Sequence, residues 1–105
     1  MLIVETSVFT RQVQALLRDE EYRLLQLHLA GQPDAGAVIR GTGGLRKVRW
    51  SVGARGKRGG VRVIYYRSAG LDRILMLLIY SKSEREDLTP EQLRILRRIA
   101  EVEYP

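Results

Sequence analysis

The chain has no cysteine, one histidine, one phenylalanine and one tryptophan among its 105 residues. Without thiols there are no disulfide staples and no thiolate chemistry, which fits a reducing compartment. One histidine and no cysteine leave only carboxylates as metal ligands, so neither a metal centre nor another cofactor is expected. Serine and threonine have no base partner in evidence, so a hydrolase triad is not supported. His28 sits mid-helix beside Leu25 and Leu29 and reads as an ordinary helix residue. The longest apolar run, Ile74 to Tyr80, is far short of the roughly 20 residues that span a bilayer. The opening stretch, Met1 to Gln12, lacks a basic leader and a long apolar segment, and reads as mature sequence. The expectation is one soluble cytoplasmic domain over residues 1–105, with no membrane contact.

Acid is also missing, but only locally. Between Arg40 and Arg67 there is no Asp or Glu, yet there are nine basic residues: Arg40, Arg46, Lys47, Arg49, Arg55, Lys57, Arg58, Arg62 and Arg67. The rest of the chain sets the other nine of its 18 basic residues against all 12 acids, a net −3. The formal +6 is thus a local +9 on a mildly acidic body. Such a field selects polyanions, nucleic acid foremost.

Periodicity gives an α+β order, β-α-α-β-β-β-α. Leu2 to Val4 is a short strand, and Thr6 or Ser7 can cap the helix that follows. Phe9, Val13, Leu16 and Leu17 share one helical face. Asp19 can cap a second helix with apolar positions Tyr22, Leu24, Leu25, Leu27 and Leu29. Gly31 stands where a left-handed C-terminal residue belongs, and Pro33 prevents continuation. The period then becomes two. Val48, Trp50 and Val52 point one way along a strand, with Lys47, Arg49 and Ser51 on the other side. Val61 to Arg67 and Arg73 to Ser81 are further strands, the last apolar on both faces and therefore central. Thr89-Pro90-Glu91-Gln92 reads as a capped helix start, with Leu93, Leu96, Ile99 and Ala100 as the buried stripe. An antiparallel sheet of three or four strands should pack on the helical hairpin, the last helix closing the other side or one end.

Strand parity puts Lys47 and Arg49 on one face. A hairpin at Gly53–Gly60 can bring Arg62 near Arg49, and Lys82 follows Tyr80 on the same face. The Gly53–Gly60 segment is no Walker loop, because a strand follows it rather than a helix. It reads as a hairpin tip carrying Arg55, Lys57 and Arg58 toward phosphates. Gly41 to Gly44 reads as a flexible lead-in to the strand.

Gly41-Thr-Gly-Gly-Leu-Arg-Lys-Val-Arg49, Gly56-Lys-Arg-Gly-Gly-Val-Arg-Val-Ile-Tyr-Tyr66, Leu78-Ile-Tyr-Ser-Lys82 and Asp87-Leu-Thr89 together carry a resemblance. Along essentially its whole length the chain resembles the HigB-type toxins of the RelE/ParE superfamily, from bacterial type II toxin–antitoxin pairs. The resemblance implies a ribosome-dependent endoribonuclease that cleaves translated mRNA in the A site. It also implies a cognate antitoxin, a helix-turn-helix HigA-like protein through which the pair reaches operator DNA. Carried over by position, Lys47, Arg49, Arg62 and Lys82 are the catalytic candidates. Ser83 and Thr89 stand where the RelE type has Arg and Tyr, and Glu84, Asp87, Tyr65, Tyr66 or Tyr80 are left to fill part of that gap. Arg46, Arg55, Lys57, Arg58, Tyr65 and Tyr80 are the candidate RNA contacts, and Arg67 has no assignment.

Cleavage by the RNA's own 2′-hydroxyl needs alignment, neutralisation of the phosphorane and protonation of the leaving oxygen. Arg49 and Arg62 suit bidentate phosphate contact. A lysine crowded by cations has its charged form disfavoured, so Lys47 or Lys82 is the candidate for proton transfer. Two other readings stay open: a ParE-like gyrase poison on the same fold, and a non-catalytic RNA-binding domain.

Overall fold

The fold is described by a computed structural model, for residues 1–51, 60–85 and 87–103. Strand β1, Leu2–Glu5, runs into helix α1, Ser7–Leu16. Thr6 is the N-cap: its Oγ1 accepts from Phe9 N at 3.1 Å and donates to Leu77 O at 3.0 Å. One hydroxyl therefore satisfies a free helix amide and ties the helix start to a distant strand. Helix α2 spans Asp19–Gly31, and its N-cap is Arg18 rather than Asp19. The side chain of Glu21 accepts from Arg18 N at 2.8 Å, so the third helical residue closes the turn that Asp19 was expected to cap. Gly31 is the last helical residue and not a left-handed cap; Gln32 ends the helix, its N–H donating to His28 O at 2.9 Å. The acceptor Glu5 holds β1 to both helices, taking hydrogen bonds from Thr10 Oγ1 at 2.7 Å and from the Tyr22 hydroxyl. Burial, then the bond to the Glu5 carboxylate and its charge, push the Tyr22 phenol far above its ordinary range.

The buried stripe of α2 is narrower than its leucine content suggests. Leu25 and Leu29 are fully buried, whereas Leu24 and Leu27 are each 59% exposed. Residues 25 and 29 lie four apart and share the sheet-facing side; 24 and 27 turn away from it.

The remaining elements are β2 (Ala37–Val38), β3 (Leu45–Trp50), β4 (Val61–Ser68), β5 (Arg73–Ser81) and α3 (Pro90–Glu103). The sheet has five strands in the order β1-β5-β4-β3-β2. It is mixed rather than wholly antiparallel, because β1 pairs in parallel with β5, Leu2 opposite Arg73 through Glu5 opposite Met76. Parallel pairing is open to a strand that connects onward through helices instead of a tight turn. The extra strand β2 contributes two residues at the far edge, too short to show any alternation in sequence. Strand β5 is interior, flanked by β1 and β4, as its apolar faces require. A bulge at Ile64/Tyr65 skips Leu77 and lets both Leu77 and Leu78 join the same side of the sheet.

Two cores result. Phe9, Val13, Leu17, Leu25 and Leu29 of the hairpin cover Val48, Val61, Val63, Tyr65, Met76 and Ile79. Leu96 and Ala100 of α3 cover Leu45, Ile64, Leu75, Leu77 and Tyr80 on the other face. The Gly41–Gly44 turn is built rather than loose. Gly41, Gly43 and Gly44 hold positive φ, while buried Thr42 donates to Ile39 O at 2.6 Å and accepts from Leu45 N at 3.1 Å. Replacing Thr6 with Ala should lower unfolding free energy by about 1–2 kcal/mol, the cost of removing a cap. Urea melts would show a reduced midpoint at unchanged slope; an unaltered midpoint would remove Thr6 from this role.

Candidate phosphate-binding site on the sheet

The register of β3, β4 and β5 assembles the site. Arg49 lies directly opposite Arg62, and Arg62 opposite Tyr80, so the three form a row across the sheet. The next row is Lys47, Ile64 and Leu78. Val48, Val61 and Val63 are committed to the hairpin core, which turns Lys47, Arg49 and Arg62 to the α3 face. The three cations are thus within one or two strand spacings of each other. Their settings differ: Arg62 is only 5% exposed, Lys47 is half-buried and Arg49 is exposed.

Asp87 comes to this cluster from the segment between β5 and α3. Its Oδ1 accepts from Lys47 Nζ at 2.7 Å. The capping box two residues on fixes the chain here: Gln92 N donates to Thr89 Oγ1 at 3.1 Å and Thr89 N to Gln92 Oε1 at 2.9 Å, with Pro90 at the first helical position. Thr89 is therefore a helix cap, which is why no aromatic is needed there for the fold. The hydrogen bond from Lys47 and the Lys47 charge hold the Asp87 carboxyl below its usual range, and the Arg49 and Arg62 charges act in the same sense. An anion at this point is stabilised by all three cations at once.

Beneath it lies a hollow of ≈ 150 Å3 walled by Ile39, Ile64, Tyr80, Leu88 and Leu93, with Lys47 and Asp87 at its rim. Tyr80 is 2% exposed, so its ring is a wall and not a platform for a base. Arg85, which strand parity gives no means of finding, sits 5.7 Å from the centre of that ring. Lys82 lies past the end of β5 with an exposed side chain, its N–H donating to Gly60 O at 3.3 Å. Ser83 turns back on the strand end, its Oγ 2.7 Å from Ser81 Oγ.

Besides Tyr80, two further RNA-contact candidates serve the fold. Tyr65 is fully buried on the hairpin side, its hydroxyl donating to Pro33 O at 2.7 Å and accepting from Gly36 N at 2.9 Å. Burial raises its phenol above the ordinary value. The bulge beside it does not alter this side, since Tyr65 pairs with the buried Met76. Arg46 shares that face and is used structurally: its guanidinium donates to Gly36 O at 2.7 Å and pairs with Asp34 at 3.5 Å. Arg67 also pairs with Asp34, at 3.4 Å. His28, half-buried on α2, packs its ring 5.3 Å from that of Trp50. Arg55, Lys57 and Arg58 lie outside the described residues. Among the described residues no group of three His, Cys, Asp or Glu could hold a metal, and no helix is long and apolar enough to cross a membrane.

No protein-family model matches the chain. Among solved structures it is similar to the free-state form of a double arginine-to-alanine mutant of the E. coli toxin RelE, with a TM-score of 0.58 at 13% identity. The match covers 81% of this chain and 86% of that one. The chain has a RelE-like fold. At that identity the likeness concerns the arrangement of helices and strands.

Tyr65→Phe should cost about 1–3 kcal/mol of stability, because it strands a buried N–H and a carbonyl, and should leave polyanion binding unchanged. A matching loss of binding would return Tyr65 to the site. The Lys47–Asp87 pair carries a pH signature. Its carboxyl is lowered on folding, so its contribution is present above the unfolded carboxylate value of about 3.9 and fades as pH falls through the folded one. Urea midpoints of the parent and Asp87→Asn should therefore differ at neutral pH and draw together as the pH falls below about 3.9. A gap that stays constant would mean the pair does not contribute.

Proposed function

We propose that this chain is the toxin of a type II toxin–antitoxin pair, a HigB-like ribosome-dependent endoribonuclease that cleaves translated mRNA in the A site. The observation that carries the reading is the cationic row on the α3 face of a RelE-like sheet: Arg49 lies opposite Arg62, and Lys47 in the next row is hydrogen-bonded to Asp87. A carboxylate held by Lys47 beside a pair of arginines is a stand-in for a phosphate. RNA brings that phosphate with its own nucleophile attached.

The reaction is an in-line transesterification. The 2′-oxygen bonds to phosphorus as the P–O5′ bond breaks, leaving a 2′,3′-cyclic phosphate and a 5′-hydroxyl. The 2′-hydroxyl gives up a proton and the leaving 5′-oxygen takes one. Arg62, half-immobilised by burial, and Arg49 across from it donate to the non-bridging oxygens as negative charge builds on the phosphorane. Phosphate displaces Asp87 from Lys47. Lys47 then stands at the leaving oxygen as proton donor, and the freed carboxylate is a weak base for the 2′-hydroxyl. Lys82, at the strand end, contacts the strand beyond the scissile bond. A weak base implies slow cleavage of free RNA, with most of the rate coming from orientation of the message on the ribosome. The reaction uses no metal.

The natural partner is an antitoxin with an acidic segment that covers this cationic face; a helix-turn-helix HigA-like protein would also link the pair to operator DNA. The toxin works in the cytoplasm, where ribosomes and messages are. The Arg49→Ala and Arg62→Ala variants should each lose at least about tenfold in cleavage on programmed ribosomes, in line with removing one donor to a developing oxyanion. Transcript ends mapped after induction should fall at in-frame positions of translated messages. Full activity in Arg62→Ala, or DNA-damage signalling with intact transcripts, would overturn the assignment; the second outcome is that of a gyrase poison.

A further inference from the structure

A second basic surface borders the sheet site. Arg40 opens the Gly41–Gly44 turn, and Arg94 and Arg97 lie three apart on α3, one above the other on the same side. With the Gly41–Thr42 turn, Pro90 and Leu93 they line a groove of ≈ 370 Å3. Leu93 also walls the hollow under Lys47 and Asp87, so the groove and the site adjoin. One of these arginines lies against the turn. Gly43 has φ +72, and a Cβ there would meet Arg97 Cζ at 2.9 Å, so the guanidinium lies flat against bare backbone. Arg97 has a loose ion pair with Glu101, 3.8 Å from Nε. Arg40 and Arg94 are exposed and make no ion pair within 4.0 Å among the described residues.

The lining selects the ligand. Three guanidiniums suit bidentate phosphate contact better than a single point charge. Among the described residues the groove presents no aromatic side chain to stack a base and no amide side chain to read a base edge. It is thus built for a backbone rather than for bases.

We propose that this groove binds phosphates of the same RNA strand, flanking the one held by Lys47, Arg49 and Arg62. The proposal rests on the RNA reading of the sheet site. Its consequence is that the protein grips RNA over more than one nucleotide, with no sequence preference from the groove.

The test uses the full chain, a labelled single-stranded 2′-O-methyl RNA that cannot be cleaved, and a 2′-O-methyl dinucleotide that reaches only the sheet site. Affinity is measured against salt for the parent and for the Arg40→Glu, Arg94→Glu double variant, whose exposed positions should leave the melting temperature unchanged. The variant is expected to bind the longer RNA several-fold more weakly. Its log–log salt slope should fall by about 0.7 for every phosphate the groove ceases to neutralise, with dinucleotide binding kept. Equal binding of the longer RNA by both proteins would overturn the groove and leave the sheet site standing. Failure of the parent to bind either RNA would overturn both readings. A variant that loses only binding to polyglutamate would assign the groove to an acidic protein segment and sink the RNA proposal.

Discussion

Arg49 faces Arg62 across two hydrogen-bonded strands, an arrangement of like charges that a sheet on its own disfavours. The other face explains why it persists. Val48 opposite Val63, and Trp50 opposite Val61, belong to or pack against the hairpin core. A slip of one residue would move all of them to the wrong side of the sheet. Burial of several apolar side chains, each worth roughly 1.5–3 kcal/mol, outweighs one repulsive pair. The hydrophobic core thereby enforces a cationic pair that electrostatics would not choose. Asp87 relieves the repulsion in the free protein, since both arginines as well as Lys47 stabilise its charge.

The sheet divides the labour between its faces. Positive residues on the hairpin side serve the fold: Arg46 and Arg67 close on Asp34 and hold the segment that leads into β2. Tyr65 ties the same segment through Pro33 and Gly36. Lys47, one position from Arg46 in sequence, faces α3 together with Arg62, on the side where Asp87 sits. Adjacent basic residues on a strand thus have unrelated tasks, and local charge density alone does not separate them.

That separation was legible wherever alternation was clean. The parity of Val48 and Trp50 put Lys47 and Arg49 on the open face, and the Thr89-Pro90-Gln92 spacing marked the start of α3. Other features needed the third dimension. The placement of Tyr65 follows from its hydrogen bonds with Pro33 and Gly36, about thirty residues away, which no periodicity encodes. The pairing of Lys47 with Asp87 spans 40 residues. Arg94 and Arg97 lie off the buried Leu96–Ala100 stripe of α3, and only the Gly41–Thr42 turn across from them makes them part of a groove. Strand β2 was too short to signal itself, and β1 could pair parallel only because helices, not a turn, follow it.

Asp87 also sets what can occupy the cationic face. A carboxylate tethered to the same chain competes at an effective concentration in the millimolar range or above, as linked groups do. A lone phosphate, such as that of a dinucleotide, meets that competitor at one point only and binds correspondingly more weakly than a strand. A ligand carrying several phosphates in a row starts with an advantage, because binding at Arg40, Arg94 and Arg97 makes its arrival at Lys47 intramolecular as well. The internal carboxylate therefore converts a patch open to any anion into one that favours a strand over a monomer. The same logic applies to an inhibitor: an acidic protein segment long enough to cover both surfaces could shut the site, whereas free carboxylates and inorganic phosphate would pass it by.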